Sequence, residues 1–580
     1  MELSHLIVDA VWRPSFLLKY HELQDHLQSS SGRIGPPSWD YSFLNPRNRV
    51  ETLDIASSRW RIDGATICGT CVYAIPLDLL PDLPPLRILL YLSDQTEYPA
   101  ALRQSLDASI GVPLRDGTAI SRLGLAKHLC RALDHHCAQN PGFLQEYLKL
   151  PFGSRLIFED ITQDVANMKL EVERDYQVES EMKTLHTLQQ SWSDVASVAW
   201  PPAVDINNLR LVKQLNEAVS LVEVPGQPPA IFKAASDSLH HTYHELHFLL
   251  SCPPHPHIMP RPLAVVTKKS AFGGKNGVVG FLLQHFQGGS LREILPVRQR
   301  STILSDSVKL RWCRQVASAL SHLHEVGAFY SDLRPDNVLL DAEENAVLCD
   351  FEQRGNWYEW SAPEIRYRQY AENIRARLPD RIINSPYDRL LRGYACSHSL
   401  STSACYTAAE SPIEGRNRAW FALPPSAREK ATVYSLGLFI YCVFEGLSSV
   451  QRNVANQFPF EPEVEFPTYR RTPEEVRKII QHCMGVTPVW HTIGKQSEST
   501  RVVRVNGLLY PETQTDLEPD TRASFNVVME TLVNFWGTEL MQAEKFLDDL
   551  RWETGDFGRE RASLRDVVDA LGSRLNDLCQ

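Results

Sequence analysis

Three oxygen-bearing side chains stand out by their order and spacing. In the run Tyr330-Ser331-Asp332-Leu333-Arg334-Pro335-Asp336-Asn337-Val338-Leu339-Leu340-Asp341, the carboxylate of Asp332 is followed five residues later by the amide of Asn337. Further on, Val347-Leu348-Cys349-Asp350-Phe351-Glu352 sets Asp350 directly behind an apolar run, and Ser361-Ala362-Pro363-Glu364 follows. Carboxylates and amide carbonyls are hard oxygen donors suited to a divalent cation, and a carboxylate can also accept a proton. The bland alternative is a chance DLRPDN on a solvated loop, against which the whole ordered set argues. Two other metal-like patterns are weaker. Cys68 and Cys71 have the spacing of a zinc half-site but no second pair follows, so a structural role is expected. His241, His244 and His247 in HTYHELH lack the HExxH spacing, and the segment reads as a polar helix surface.

These residues need a scaffold, and the chain is long enough to build one. At 580 residues it exceeds one ordinary domain, and 43% hydrophobic against 22% charged residues is the balance of a globular protein. The net charge of −11 supplies no basic field for nucleic acid or an anionic membrane, so neither partner is expected. No membrane span or signal-peptide pattern is seen, twelve scattered cysteines read as free thiols, and a cytoplasmic or nuclear location is expected. VKLRWCRQVASALSHLHEVG has the apolar period of a helix leading directly into the Asp332 run. Near the start, WRIDGATICGTCVYAIPLDLL and LRILLYLS read as strands, while GLAKHLCRALDHHCAQ and GFLQEYLKLPF read as helices. The charged segment from Thr162 to Val195 has helical spacing and is expected to connect two domains. AWPPAVD (Ala199–Asp205) breaks any helix and marks the boundary. The expected division is a mixed α/β domain at 1–160, a helical connector and Pro-containing linker at 161–205, and a catalytic unit at 206–580.

The Asp332, Asp350 and Ser361–Glu364 runs together resemble the catalytic loop, metal-binding loop and APE motif of protein kinases, closest to a divergent fungal kinase-like group. The resemblance covers about 375 residues. It implies an α+β, bilobal protein-kinase-like fold, with a small β-rich N-lobe at 206–287 and a large helical C-lobe at 288–580, preceded by the mixed α/β domain. It implies ATP and Mg2+ as cofactors and a protein substrate or protein partner. Asp332 would orient and accept the hydroxyl proton, Asn337 and Asp350 would hold the metal, and Arg334 would place positive charge near the transferred phosphate. Lys233, in AIFK, matches the third-strand lysine, and Glu245, in YHELHFLL, matches its helix partner. GFLLQHFQGGSLREIL looks like the fifth strand, hinge and following helix, with Leu283 as gatekeeper and the backbone of Gln284 to Phe286 meeting adenine. Leu339 completes the implied nucleotide-binding set. ATVYSLGLFIYCVFEG, EEVRKIIQHCMG and the segment after Arg561 resemble later C-lobe helices, and Arg561 would pair with Glu364. Insertions are expected at about 366–425 and 486–555.

Departures from the family pattern keep several readings open. Asn216 and Ala218 stand where phosphate-facing glycines are usual. Losing three hydrogen bonds of ~1 kcal/mol each would cost about two orders of magnitude in affinity. Ile231 replaces a small residue above adenine, Ser331 replaces an arginine, Tyr330 keeps an aromatic ring near Phe351, Thr432 replaces a helix aspartate, and Glu352 replaces a glycine. Only 13 residues separate Asp350 from Glu364, and Ala422-Leu423-Pro424-Pro425 offers a second APE-like anchor. The three readings are a phosphotransferase acting on Ser/Thr hydroxyls, a pseudokinase serving as a nucleotide-weak binding module, and a small-molecule kinase.

Overall fold

The computed structural model describes residues 59–65, 71–76, 88–92 and, with short gaps, 118–352. It also describes 360–362, 365, 420, 423–450, 467–485, 502–505, 508–511, 561–579 and isolated positions between 527 and 534.

The first layer is a five-stranded sheet in sequential order: β1 (Trp60–Ala65), β2 (Cys71–Pro76), β3 (Ile88–Leu92), β4 (Arg155–Phe158) and β5 (Leu170–Glu173). The helix α1 (Thr118–Gln139) crosses between β3 and β4, which is what lets those two strands run parallel. A short α2 (Phe143–Leu148) follows it. Trp60, Ile88, Leu90, Leu133, Leu156 and Phe158 close a core of their own. The strands and helices expected near the start of the chain are therefore present. The helical spacing expected from Thr162 to Val195 is only partly realised. Leu170–Glu173 pairs with β4 instead, Arg155 meeting Glu173 at 2.5 Å, and the helical pieces are the short α3 (Gln177–Glu181) and α4 (Leu185–Ser191) with single 3-10 turns at Val165–Asn167 and Ser193–Val195. A free sheet edge with an alternating partner won over a weak helical period.

The second layer is a six-stranded sheet in the order β6-β10-β11-β9-β8-β7. Its strands are β6 (Ala203–Asp205), β7 (Arg210–Gln214), β8 (Val219–Glu223), β9 (Ala230–Ala234), β10 (Ala264–Lys269) and β11 (Asn276–Gln284). AWPPAVD does break the chain's helix, but its last three residues add a parallel edge strand beside β10. The helix α5 (Leu239–Ser251) packs on this sheet. It is not the polar surface expected of HTYHELH: His241, Thr242, Tyr243, Glu245 and Leu246 are all buried. The histidine spacing bears on metal ligation alone, whereas the apolar residues between the histidines draw the helix inward.

Below the sheet lies a helical lobe made of α6 (Leu291–Arg300), α7 (Asp306–Glu325), α8 (Pro425–Glu445), α9 (Glu474–Met484) and α10 (Leu564–Cys579), with the ribbon β12 (Val338–Leu340) and β13 (Ala346–Leu348) at its top. Ser305 caps α7 by accepting from the Val308 N–H at 3.4 Å. The helix α8 is apolar nearly all round and buried from Ala431 to Glu445, as the central post of a helical lobe must be. The hairpin β14 (Val502–Val505) and β15 (Leu508–Pro511) falls within the expected second insertion, and most of the first lies outside the described residues. A single core runs from Phe232 and Phe281 of the sheet to Leu436 and Phe439 of α8, and it takes in Met182, Leu188 and Val195 from upstream. A small β-rich lobe above a large helical one is the α+β bilobal arrangement that the sequence led us to expect.

Candidate active site

The cleft between the two lobes collects the side chains singled out in the sequence. Lys233 sits on β9, whose register places it opposite Val219 of β8 and Phe281 of β11. Its side chain is 9% exposed, and its ammonium meets three carboxylates: Glu245 of α5 in direct contact, Asp350 at 2.5 Å and Glu352 at 3.3 Å. Glu245 is wholly buried, and its other oxygen accepts the Phe351 N–H at 3.0 Å. One helix carboxylate thus ties β9 to the loop after β13. Phe351 anchors that loop by stacking on Phe248 of α5 at 4.5 Å between ring centroids. Tyr330 meets Phe351 edge-on at 5.2 Å, and its hydroxyl donates to the Cys349 carbonyl. Asp350 itself has φ of +64°, a left-handed conformation that its neighbours must hold in place.

The Asp332 loop joins the same site. The Asn337 amide donates to both the carbonyl and the carboxylate of Asp332, each at 2.9 Å, and the Asn337 carbonyl accepts the Cys349 N–H at 3.0 Å. Arg334 Nε lies 3.4 Å from Asp332. Asp336 lies between two cations, 4.0 Å from the Arg334 guanidinium and in an ion pair with Arg292 of α6 at 2.5 Å. That pair spans 44 residues, and no local spacing in the sequence announces it.

Burial pushes the Asp332 carboxyl up to about 6, with Arg334 opposing that rise and Asp350 adding to it. Burial also raises Glu245, against the pull of Lys233 and with help from Asp350 and Glu352. Burial works against the charge on Lys233, yet Asp350, Glu245 and Glu352 overcome it and hold its pKa well above the ordinary lysine value. A lysine kept charged among carboxylates is a ready partner for phosphate oxygens.

The expected nucleotide-lining positions are spread along one wall. Leu283 is buried near the end of β11, Gln284 pairs with Ala230 in the strand register, and Phe286 is buried just beyond it. Leu339 sits on β12 and is partly buried against the same core. The chain crosses between the lobes closely here: the Leu340 N–H donates to the Gly289 carbonyl at 3.0 Å, and a Cβ on Gly288 would collide with the Leu340 carbonyl. Ile231 lies two residues before Lys233, so it shares the cleft-facing side of β9. The turn between β7 and β8 replaces a glycine-rich loop; Ala218 is buried with its carbonyl accepting from the Ala234 N–H at 2.8 Å, while Asn216 lies outside the described residues.

The helical lobe supports the cleft in ways only partly expected. The Thr432 hydroxyl turns back onto its own helix, donating to the Arg428 carbonyl at 2.9 Å. One turn on, Ser435 donates to the Trp360 carbonyl at 2.8 Å and fixes the segment holding Ala362 and Ile365, both fully buried. Leu423 is equally buried just before Pro425 starts α8, so both APE-like segments border the core. Arg561 is buried, bonds to the carbonyls of Met484 and Lys430, and lies over the Tyr434 ring; its expected partner Glu364 lies outside the described residues.

The oxygens of Glu245, Asp350 and Glu352 lie within 4.8 Å of one another, and the Asn337 backbone carbonyl holds the start of the same loop through the Cys349 N–H. This all-oxygen donor set fits a hard divalent cation such as Mg2+. Among the described residues no helix is long and apolar enough to cross a membrane.

Comparison with known proteins points the same way. The pattern of the protein kinase domain matches residues 231–370. The serine/threonine-protein kinase UCN of Arabidopsis thaliana is 29% identical over 155 residues, which are 25% of this chain and 37% of that protein. The serine/threonine-protein kinase Sgk2 of Homo sapiens is 30% identical over 109 residues, 19% of this chain and 28% of that protein. The serine/threonine-protein kinase SKS1 of Saccharomyces cerevisiae is 54% identical over 37 residues, 6% of this chain and 7% of that protein. The chain thus spans about a third or less of these relatives.

Proposed function

Because this protein-kinase-like chain carries a protein kinase domain, we propose that it is an ATP-dependent phosphotransferase acting on Ser/Thr hydroxyls of a protein substrate. One observation carries the reading: Lys233 joins Glu245 and Asp350 while Glu245 also holds the Phe351 backbone, so the groups that would bind nucleotide form one connected unit. Keeping so many charges buried is costly unless they are paired, and nothing in the fold's core requires them.

Each residue then has a defined task. Lys233 holds phosphate oxygens, and Glu245 keeps its ammonium at the cleft. Asp332, oriented by Asn337, accepts the proton of the attacking hydroxyl as its oxygen bonds to the γ-phosphorus, while the bond from that phosphorus to the β,γ-bridging oxygen breaks and ADP leaves. Arg334 steadies the Asp332 carboxylate and adds positive charge beside the transferred group. Asp350 and Asn337 would hold Mg2+, which supplies charge neutralisation to the phosphates. The division at 1–160, 161–205 and 206–580 and a cytoplasmic or nuclear site of action belong to the same proposal.

The test is transfer of labelled phosphate from Mg-ATP to Ser/Thr peptides. Asp332→Asn is expected to lower the rate by about 10²–10⁴-fold. The carboxyl pKa is raised, so its proton-accepting form fills only above about pH 6, and kcat/KM is expected to climb through that pH and level off. Transfer to small hydroxylated metabolites but not to peptides would assign the acceptor to a small molecule. A second reading, a pseudokinase that binds a protein partner, is favoured by one contact: Glu352 sits at 3.3 Å from Lys233, an internal anion where a phosphate would compete. Nucleotide binding without transfer to any acceptor would support it.

A further inference from the structure

Residues 182–200 take no part in the chemistry above, yet they are built into the back of the helix that carries Glu245. The Lys183 N–H donates to the Tyr243 hydroxyl at 2.9 Å, that hydroxyl donates to the Val278 carbonyl at 2.9 Å, and the Val278 N–H donates to the Lys183 carbonyl at 2.9 Å. This triangle stitches the segment to α5 and β11 together. One turn further along the helix, His247 pairs with the Asp194 carboxylate at 2.8 Å. The Trp192 ring packs against the same imidazole at 4.9 Å and stacks on Trp200 at 5.4 Å. Leu188 and Val195, between these contacts, are sealed into the core. The fit is close: a Cβ on Gly277 of β11 would collide with the Met182 side chain.

Helix geometry gives these contacts a consequence. Tyr243 and His247 are four residues apart and share one face of α5. Glu245 is two residues from each, about 200° around the helix, so it faces the opposite way, into the cleft. The segment therefore backs α5 on one side while Glu245 meets Lys233 on the other. If α5 moved outward, Lys233 and Glu245 would part and leave buried charges without partners. The segment is anchored in turn at its own start. Glu179 of α3, buried, accepts from the Phe152 N–H, just before β4, at 2.8 Å and from Lys268 Nζ and the Ala271 N–H at the end of β10 at 2.7 and 2.6 Å.

We propose that residues 182–200 are a built-in clamp on α5, with Trp192 and Asp194 acting as positioning residues for the Lys233–Glu245 pair. The proposal rests on the phosphotransferase reading for its catalytic consequence, but the clamp itself is a property of the nucleotide-free chain.

Both parts are tested on the full chain with Trp192→Ala, Asp194→Asn and the conservative Asp194→Glu. Amide hydrogen exchange without nucleotide is expected to rise about tenfold within 239–251 in the first two variants, while amides of β9 and β11 keep their protection. Calorimetry is expected to show about a tenfold loss of Mg-ATP affinity in the native background but less than about twofold in a Glu245→Gln background, since the clamp acts through that carboxylate. Asp194→Glu is expected to stay near native in both measurements. Unchanged exchange in α5 would overturn the clamp, and so would an equal affinity loss in both backgrounds, which is the mark of a general structural role. If Trp192→Ala does not fold, Asp194→Asn decides alone, because that side chain is mostly exposed. If the native chain binds no Mg-ATP, the phosphotransferase reading fails and exchange in α5 still judges the clamp.

Discussion

At Lys233 one ammonium faces the carboxylates of Glu245, Asp350 and Glu352. The first two arrange the cleft, while the third occupies a side of the ammonium that an incoming phosphate would need. Glu352→Gly is therefore expected to raise Mg-ATP affinity by about fivefold, ~1 kcal/mol, as a competing ion pair is removed. Titration calorimetry reads this directly, and a weaker complex would instead assign Glu352 to cation binding. Much of this scale was legible in the sequence. Order and spacing single out Asp332, Asn337 and Asp350, the resemblance to protein kinases adds Lys233 and Glu245, and Glu352 is visible as a carboxylate in place of a glycine. What spacing does not reveal is which acid faces which base: the Asp336–Arg292 pair and the Glu352–Lys233 contact arise only when distant segments meet.

The β9–β11 pairing sets Lys233 at its depth, and the two strands approach closely behind it. A Cβ on Gly280 of β11 would run into the Lys233 carbonyl. Gly280→Ala is expected to destabilise the chain by ~1–3 kcal/mol, because either strand must shift to make room. It is also expected to weaken nucleotide binding; urea unfolding and calorimetry on one sample check both. Helices and strands of the bilobal unit were readable because their apolar periods are long and strong, as in α7. The short pieces were not. Leu170–Glu173 and Ala203–Asp205 are strands because sheet edges were available to them, which is a tertiary fact. The histidines of α5 lack the HExxH spacing and so read as a polar surface, whereas the apolar residues between them draw the helix inward and burial drives His244 down to about 3 and keeps it neutral.

Among the described residues two cores form, one within the first sheet and one running through both lobes of the kinase-like unit. Glu179 ties the chain before β4 to the end of β10, so the segment between the two sheets is part of the packed structure. The sequence offered nothing on what the first sheet does, since its strands and helices carry no ordered set of polar groups. On the proposed reading, a cation would offset the three carboxylates around Lys233 when a polyphosphate enters the cleft. The most direct measurement is calorimetry of ATP with and without magnesium on the full chain, beside Lys233→Met and Asp350→Asn. The account predicts magnesium-dependent heat with a Kd between about micromolar and millimolar, roughly −8 to −4 kcal/mol, weakened in both variants. No heat from the native chain at millimolar Mg-ATP would contradict it.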